Sequence, residues 1–215
     1  MPDAPYNLAV ENSGRSGAVA LGRADTLLAE QPIPPKQRHN VDLMVAVDRV
    51  CREHDVSPQQ IGEVYVSLGP GSFTGLRVAL ATAKMLALTL ETKVVGVPTL
   101  DLLRAQHPDA VVALNIKHDP AWSAGPELAP ALRPLDELRA LKHPLIADKT
   151  DGATPPVPSV ATLWQIGRER AKAGRFDDPL GLEPHYIRQP EAVSLWDARH
   201  GKANEPATSK ISPRR

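Results

Sequence analysis

Hydrophobic and polar positions follow two alternating patterns along this chain. Short runs rich in Val, Leu and Ala predict strands at residues 6–10, 18–21, 26–29, 64–68, 93–97, 110–116 and 145–147. Longer runs with helical spacing predict helices at residues 41–54, 76–90, 98–105 and 158–173, the last ending at Gly174. In the first half, strands are followed by alternating helices and strands, which indicates a mixed sheet with helices on its faces. No internal repeat is visible in the sequence.

A glycine-rich turn separates the strand at 64–68 from the helix at 76–90. The turn reads Gly-Pro-Gly-Ser-Phe-Thr-Gly over residues 69–75. A strand, a glycine turn and a helix N-terminus together can present backbone N–H groups to an anion. The spacing matches neither the P-loop nor the dinucleotide-binding fingerprint. The candidate loop and anion-contact residues are Gly69, Gly71, Ser72, Thr74, Gly75 and Arg77.

Three roles are open to the hydroxyl groups of Ser72 and Thr74. They can cap the helix by accepting hydrogen bonds from its first N–H groups, contact an anion, or act as nucleophiles. Capping is favoured, because no local spacing supplies the base that a nucleophile needs. Asn40 is the corresponding candidate cap for the helix at 41–54. Arg77 is expected to pair with a carboxylate.

Two helices carry more apolar surface than one sheet can cover. The helix at 76–90 is apolar almost all round, which predicts burial on every face. The helix at 41–54 carries two apolar stripes, one of which can face the sheet. The other stripe is either part of an ordinary core or a contact with another subunit. The candidate interface residues are Val41, Met44, Val45, Cys51, Val78 and Leu86.

Composition narrows the function classes. The 25 basic and 25 acidic residues cancel, which argues against a nucleic-acid module that works by bulk charge. With only eight Phe, Trp and Tyr residues, a base-stacking platform is improbable. The single Cys51 fits a reducing cytoplasm, and neither a secretory signal nor a membrane span is expected.

The glycine loop followed by Val95-Gly96-Val97-Pro98-Thr99-Leu100 resembles the signature of the bacterial TsaB (YeaZ) family. Further segments agree in order: an opening hairpin at 8–21, His39 before the first long helix, a short helix at 135–138, and a closing strand that begins at 184–188. The resemblance extends over about residues 6 to 197.

The resemblance implies an actin/hexokinase-like fold of two related α/β halves. It also implies a role in forming threonylcarbamoyladenosine at position 37 of ANN-decoding tRNAs. In this family TsaB is a non-catalytic subunit that pairs through helices of its N-terminal half with its paralogue TsaD, and an ATPase, TsaE, joins them. ATP or ADP and metal are expected only in the partner complex, a homodimer is expected when the chain is alone, and contact with tRNA is expected to be indirect.

The second half departs from the family pattern. Residues 115–122 lack the acidic position that the family often shows, and fewer residues follow to form its strand hairpin, so we expect a reduced second half. The expected domains are an N-terminal α/β half at 1–105, a reduced C-terminal half at 106–197, and a disordered basic tail at 198–215. We interpret Glu11, after the first strand, as a solvated turn carboxylate rather than a ligand for magnesium-nucleotide.

Two other functions are alternatives to the role of a non-catalytic subunit. One is a free-standing ATPase or small-molecule kinase of the actin/hexokinase type, which Glu11 and Asn115 disfavour. The other is a glycoprotease-like peptidase, which the absent base disfavours. No two of the seven His residues lie four positions apart, so a helical metal pair is not expected either.

Overall fold

The chain builds two sheets in succession along the sequence. The computed structural model describes residues 5–33, 39–114, 120–148 and 150–186, with no side chains described at 39–41. The elements of the first part are β1 (Tyr6–Glu11), β2 (Gly17–Arg23), β3 (Thr26–Ile33), α1 (His39–Glu53), β4 (Ile61–Gly69), α2 (Phe73–Leu90), β5 (Lys93–Pro98) and α3 (Thr99–Gln106). Those that follow are β6 (Val111–Leu114), β7 (Ala121–Gly125), β8 (Leu128–Arg133), α4 (Leu135–Ala140), β9 (Leu145–Ala147) and α5 (Val160–Lys172).

The first sheet has the strand order β3-β2-β1-β4-β5. The strands β1, β2 and β3 form an antiparallel meander, whereas β1, β4 and β5 run parallel. The helices α1 and α2 cover one face of this sheet, where Leu8, Val10, Val64 and Val66 point into the larger core. The helix α5 covers the other face, where Tyr65 and Trp164 are buried. The mixed sheet with helices on both faces is therefore confirmed.

The second sheet repeats the order of the first with one strand fewer. Its order is β8-β7-β6-β9, again an antiparallel meander joined to a parallel strand. The helix α4 lies between β8 and β9 in the chain, as α1 lies between β3 and β4. Two halves of the same topology, the second reduced, agree with the expected actin/hexokinase-like fold.

The strand hairpin of the second half is present after Pro120. The strands β7 and β8 form a paired antiparallel hairpin of five and six residues. Pro120 precedes β7, so it interrupts no ladder, and Pro130 lies in the edge strand β8, where a missing N–H is tolerated. The turn is completed by Glu127, whose φ of 58° is left-handed.

Some boundaries differ from those expected. The helix α1 begins at His39, so Asn40 lies inside it and is not its cap. The strand predicted at 110–116 ends at Leu114, and residues 115–119 lie outside the described residues. No strand forms at 184–186, whereas the rest of the predicted closing strand and the tail at 198–215 lie outside the described residues.

The domain boundaries stay a prediction. The described residues up to His185 form one compact unit, and the unit that follows is described only at Tyr186. The expected boundary after residue 105 falls at the end of α3, between the two sheets.

Candidate functional site: a helical surface and the loop that positions it

The glycine loop caps α2. The Ser72 Oγ accepts a hydrogen bond from the Gly75 N–H at 3.2 Å, and the Ser72 carbonyl accepts one from the Leu76 N–H at 2.9 Å. The capping role of Ser72 is therefore confirmed. Because the cap acts at this point, α2 begins at Phe73, three residues before the start expected from the sequence.

The same loop is hydrogen-bonded to the turn between β1 and β2, formed by residues 12–16. The Ser72 N–H donates to the Ser13 carbonyl at 2.8 Å. The Asn12 side-chain amide donates to the Gly75 carbonyl at 3.2 Å. Both Asn12 and Ser13 are buried. The N-terminus of α2 is thus held directly against the β1–β2 turn.

Glycine is required in the loop because two backbones meet there. A Cβ at Gly75 would lie 2.1 Å from the Asn12 carbonyl oxygen, and a Cβ at Gly71 would lie 2.3 Å from the Ser13 carbonyl oxygen. The φ of Gly69 is 96°, in the region that favours glycine. The spacing of the three glycines therefore has a packing explanation within the chain. Contact of the loop with an external anion stays untested.

The other two loop candidates point outward. Thr74 is exposed. The Arg77 guanidinium stacks on the Phe73 ring, with 3.9 Å between its central carbon and the ring centroid. This is a cation–π arrangement on the outer side of α2.

The interpretation of Glu11 as a solvated carboxylate is wrong. Its side chain is only 1% exposed, and its Oε1 accepts hydrogen bonds from the N–H and the hydroxyl of Ser13. Burial raises the pKa of Glu11, and the hydrogen bonds from Ser13 oppose that rise. The sequence could not show this, because the burial depends on elements far along the chain.

The candidate interface residues of α1 separate into two groups. Met44 is 38% exposed and Val45 is 57% exposed, on the side of α1 that faces away from the sheet. Cys51 is buried in the core of the chain itself, so assigning it to an interface was wrong. Burial also raises the pKa of the Cys51 thiol, which disfavours the reactive thiolate. The side chain of Val41 lies outside those described.

The candidates on α2 separate in the same way. Leu86 is buried in the core, so it offers no surface to a partner, and Val78 is half-buried. Three apolar residues that are not among the named interface candidates are exposed instead, namely Phe73, Met85 and Leu88. The expectation that α2 is buried on every face is therefore wrong for the chain alone.

The exposed apolar residues share one side of the molecule. Because α1 and α2 pack on the same face of the first sheet, their outer sides point the same way. We call the α1–α2 surface the set Met44, Val45, Phe73, Met85 and Leu88. A spacing close to four residues from Phe73 through Arg77 and Ala81 to Met85 was the sequence signal for the α2 part.

Metal-binding clusters and a membrane-spanning helix are two other candidate features. Among the described residues, no group of three or more His, Cys, Asp or Glu side chains could hold a metal ion. Within the same residues, α2 is long and apolar enough to cross a membrane by length and composition alone. Its inner side packs against the sheet through Ala79, Leu80, Ala83 and Leu86, so we interpret it as a core helix.

The fold defines an α/β protein of the actin/hexokinase-like type. Over part of its length the chain is similar to proteins of the TsaB (YeaZ) family. The family of the tRNA N6-adenosine threonylcarbamoyltransferase TsaD matches residues 29–114, from the middle of β3 to the end of β6. The tRNA threonylcarbamoyladenosine biosynthesis protein TsaB of Bacillus subtilis is 35% identical over 108 residues, which are 49% of this chain and 47% of that protein.

Other proteins show the same similarity. The TsaB of Escherichia coli is 31% identical over 93 residues, 43% of this chain and 40% of that protein. The alignments with the B. subtilis and E. coli proteins thus span about half or less of either relative. Among solved structures, YeaZ from Pseudomonas aeruginosa superposes with a TM-score of 0.67 at 18% identity, covering 84% of this chain and 100% of that one. A second structure, described as similar to peptidase YEAZ from the same organism, gives 0.69 at 19% identity, with 86% and 100% covered. The two structures support the fold.

Proposed function

We propose that this chain is a non-catalytic subunit that pairs with a TsaD-type transferase in forming threonylcarbamoyladenosine in tRNA. The observation that carries the proposal is the α1–α2 surface, which leaves five apolar side chains in water on two adjacent helices. Clustered exposed apolar side chains of this kind mark protein contacts. The relatives named as threonylcarbamoyladenosine biosynthesis proteins supply the pathway.

The glycine loop has a supporting role in this proposal. It fixes the N-terminus of α2 against the β1–β2 turn through Ser72 and Gly75, and so it sets the position of the α2 part of the surface. The Ser72 hydroxyl is engaged as a cap, which supports a structural role rather than a peptidase nucleophile. In the proposal, the isolated chain self-associates through the same surface, and nucleotide and metal enter only with the partner. A TsaE-type ATPase is the third component.

The test compares two matched substitutions. Val45→Glu places a charge in the α1–α2 surface, whereas Val157→Glu makes the same change at a valine of similar exposure in the loop before α5. Each variant is co-purified with the TsaD-type protein of the same genome, and the complex is measured by analytical ultracentrifugation. Threonylcarbamoyladenosine is then measured in tRNA from the reconstituted reaction.

We expect Val45→Glu to abolish the complex and the modified nucleoside, and Val157→Glu to retain both. Burying an unpaired carboxylate costs several kcal/mol, and each 1.4 kcal/mol weakens binding about tenfold. A folded Val45→Glu variant that still pairs would show that the partner binds elsewhere. Loss of modification with the complex intact would argue instead for a chemical role of this chain.

A further inference from the structure

The side chain of Glu11 folds back onto the turn that follows it. Its Oε1 accepts the Ser13 N–H at 2.6 Å and the Ser13 hydroxyl at 2.5 Å. Its Oε2 is fully buried and has no hydrogen-bond partner among the described residues. The carboxyl group therefore accepts the hydrogen bonds of the Ser13 N–H and hydroxyl, and both residues are buried from water.

This turn lies where α/β proteins bind ligands. The strands β1, β4 and β5 are parallel neighbours, so their carboxyl ends share one edge of the sheet. Val10 pairs with Val66, which places Glu11 next to the fully buried Ser67. Ligands of open α/β sheets bind outside the carboxyl ends of the strands, and successive turn N–H groups form anion-binding concavities. A phosphoryl group is the ligand that such a turn would take.

We infer that the Glu11 carboxyl fills the phosphate position of the β1–β2 turn from within the chain and so excludes a phosphoryl ligand. It supplies the acceptor oxygen that a phosphate would otherwise bring to the Ser13 donors. The basic side chain of this turn, Arg15, forms an ion pair with Asp148 at 2.9 Å. The turn is thus closed by its own chain, independently of the function proposed above.

A bound cation is the alternative explanation for a buried carboxylate. The oxygen atoms around Glu11 come from Ser13 and Ser67, and the described residues contain no group of three metal-binding side chains. The Ser13 groups donate hydrogen bonds to the carboxyl, which is the geometry of an anion site rather than of a cation site. Occupation by the carboxyl itself accounts for these contacts without a ligand.

The test opens the turn and asks whether phosphate enters. Glu11→Ala removes the carboxyl and leaves the Ser13 N–H without its acceptor. The full chain is titrated with inorganic phosphate, followed by calorimetry and by the ¹⁵N–¹H shifts of Ser13 and Gly14. We expect saturable binding at least about tenfold tighter than in the wild type, with both amide shifts moving. Glu30→Ala removes a carboxylate from the exposed strand β3 and should bind no phosphate.

Two further variants distinguish occupation by the side chain from charge repulsion. Glu11→Gln retains an acceptor oxygen and the side-chain length, so it should exclude phosphate as the wild type does. If it binds phosphate as well as Glu11→Ala does, charge repulsion rather than occupation closes the turn, and the inference is overturned. Glu11→Thr, whose side chain is shorter, replaces the alanine variant should that one not fold. A folded, shortened variant without phosphate binding would overturn the inference, as would saturable shifts of Ser13 in the wild type.

Discussion

Replacing Gly75 by Ala tests the packing explanation of the glycine loop. The new Cβ would lie 2.1 Å from the Asn12 carbonyl oxygen, where 3.4 Å or more is ordinary contact. Relief requires the N-terminus of α2 and the β1–β2 turn to move apart by more than 1 Å. The Asn12 oxygen belongs to the backbone, so the contact cannot be relieved by moving a flexible side chain aside.

The cost follows from the contacts that join the two elements. Overpacking costs about 1–3 kcal/mol. Separation also weakens the hydrogen bonds from the Ser72 N–H to the Ser13 carbonyl and from the Asn12 amide to the Gly75 carbonyl, each worth about 1 kcal/mol. Alanine returns about 1 kcal/mol through helix propensity. The net loss in the free energy of unfolding is therefore about 2–4 kcal/mol.

Calorimetry measures this loss directly. For a chain of this size, 1 kcal/mol shifts Tm by about 2–4 °C, so Gly75→Ala should lower Tm by about 4–16 °C. Gly181→Ala is the matched control, because its Cβ would meet the Asp178 carboxylate at 3.2 Å and other atoms of Asp178 only at the ordinary contact distances of 3.7 and 3.8 Å. If both variants melt within about 2 °C of the wild type, the loop does not hold α2 against the turn, and the packing explanation fails.

Three other perturbations test the remaining contacts. Ser72→Ala should lower the free energy of unfolding by about 1 kcal/mol and leave most of the modified tRNA formed; loss of modification with the complex intact would mean that the loop takes part in the chemistry. The raised pKa of Glu11 means that its protonated form contributes stability below pH 4.5 that is lost as pH rises through the folded-state pKa. Glu11→Gln should therefore gain stability relative to the wild type as pH rises from 4 to 7 in urea unfolding, and parallel curves for the two proteins would contradict this. Trp164→Phe should cost about 1–3 kcal/mol, because the Trp164 indole N–H donates to the buried Asn7 Oδ1 and its loss leaves that oxygen without this donor; an unchanged Tm would show that the oxygen finds another partner.

The sequence alone determined the elements and much of their order. Apolar runs located β4, α2 and β5 to within three residues at each end, because local hydrophobic periodicity reports which residues a strand or a helix buries. The glycine loop motif carried the family resemblance, and the helix cap at Ser72 followed from hydroxyl chemistry next to a helix. These features depend on residues a few positions apart.

Only the tertiary structure decided which apolar and charged side chains are buried. Cys51 and Val45 both lay on the helix stripe predicted for an interface, yet one packs in the core and the other is exposed, since the position of the sheet beneath α1 decides between them. Glu11 is buried at the end of β1, where the β4–α2 loop, distant in sequence, is hydrogen-bonded to the turn that follows it. The repeated topology of the two sheets is likewise absent from the amino-acid pattern, because strand order depends on long-range pairing, which local periodicity does not encode.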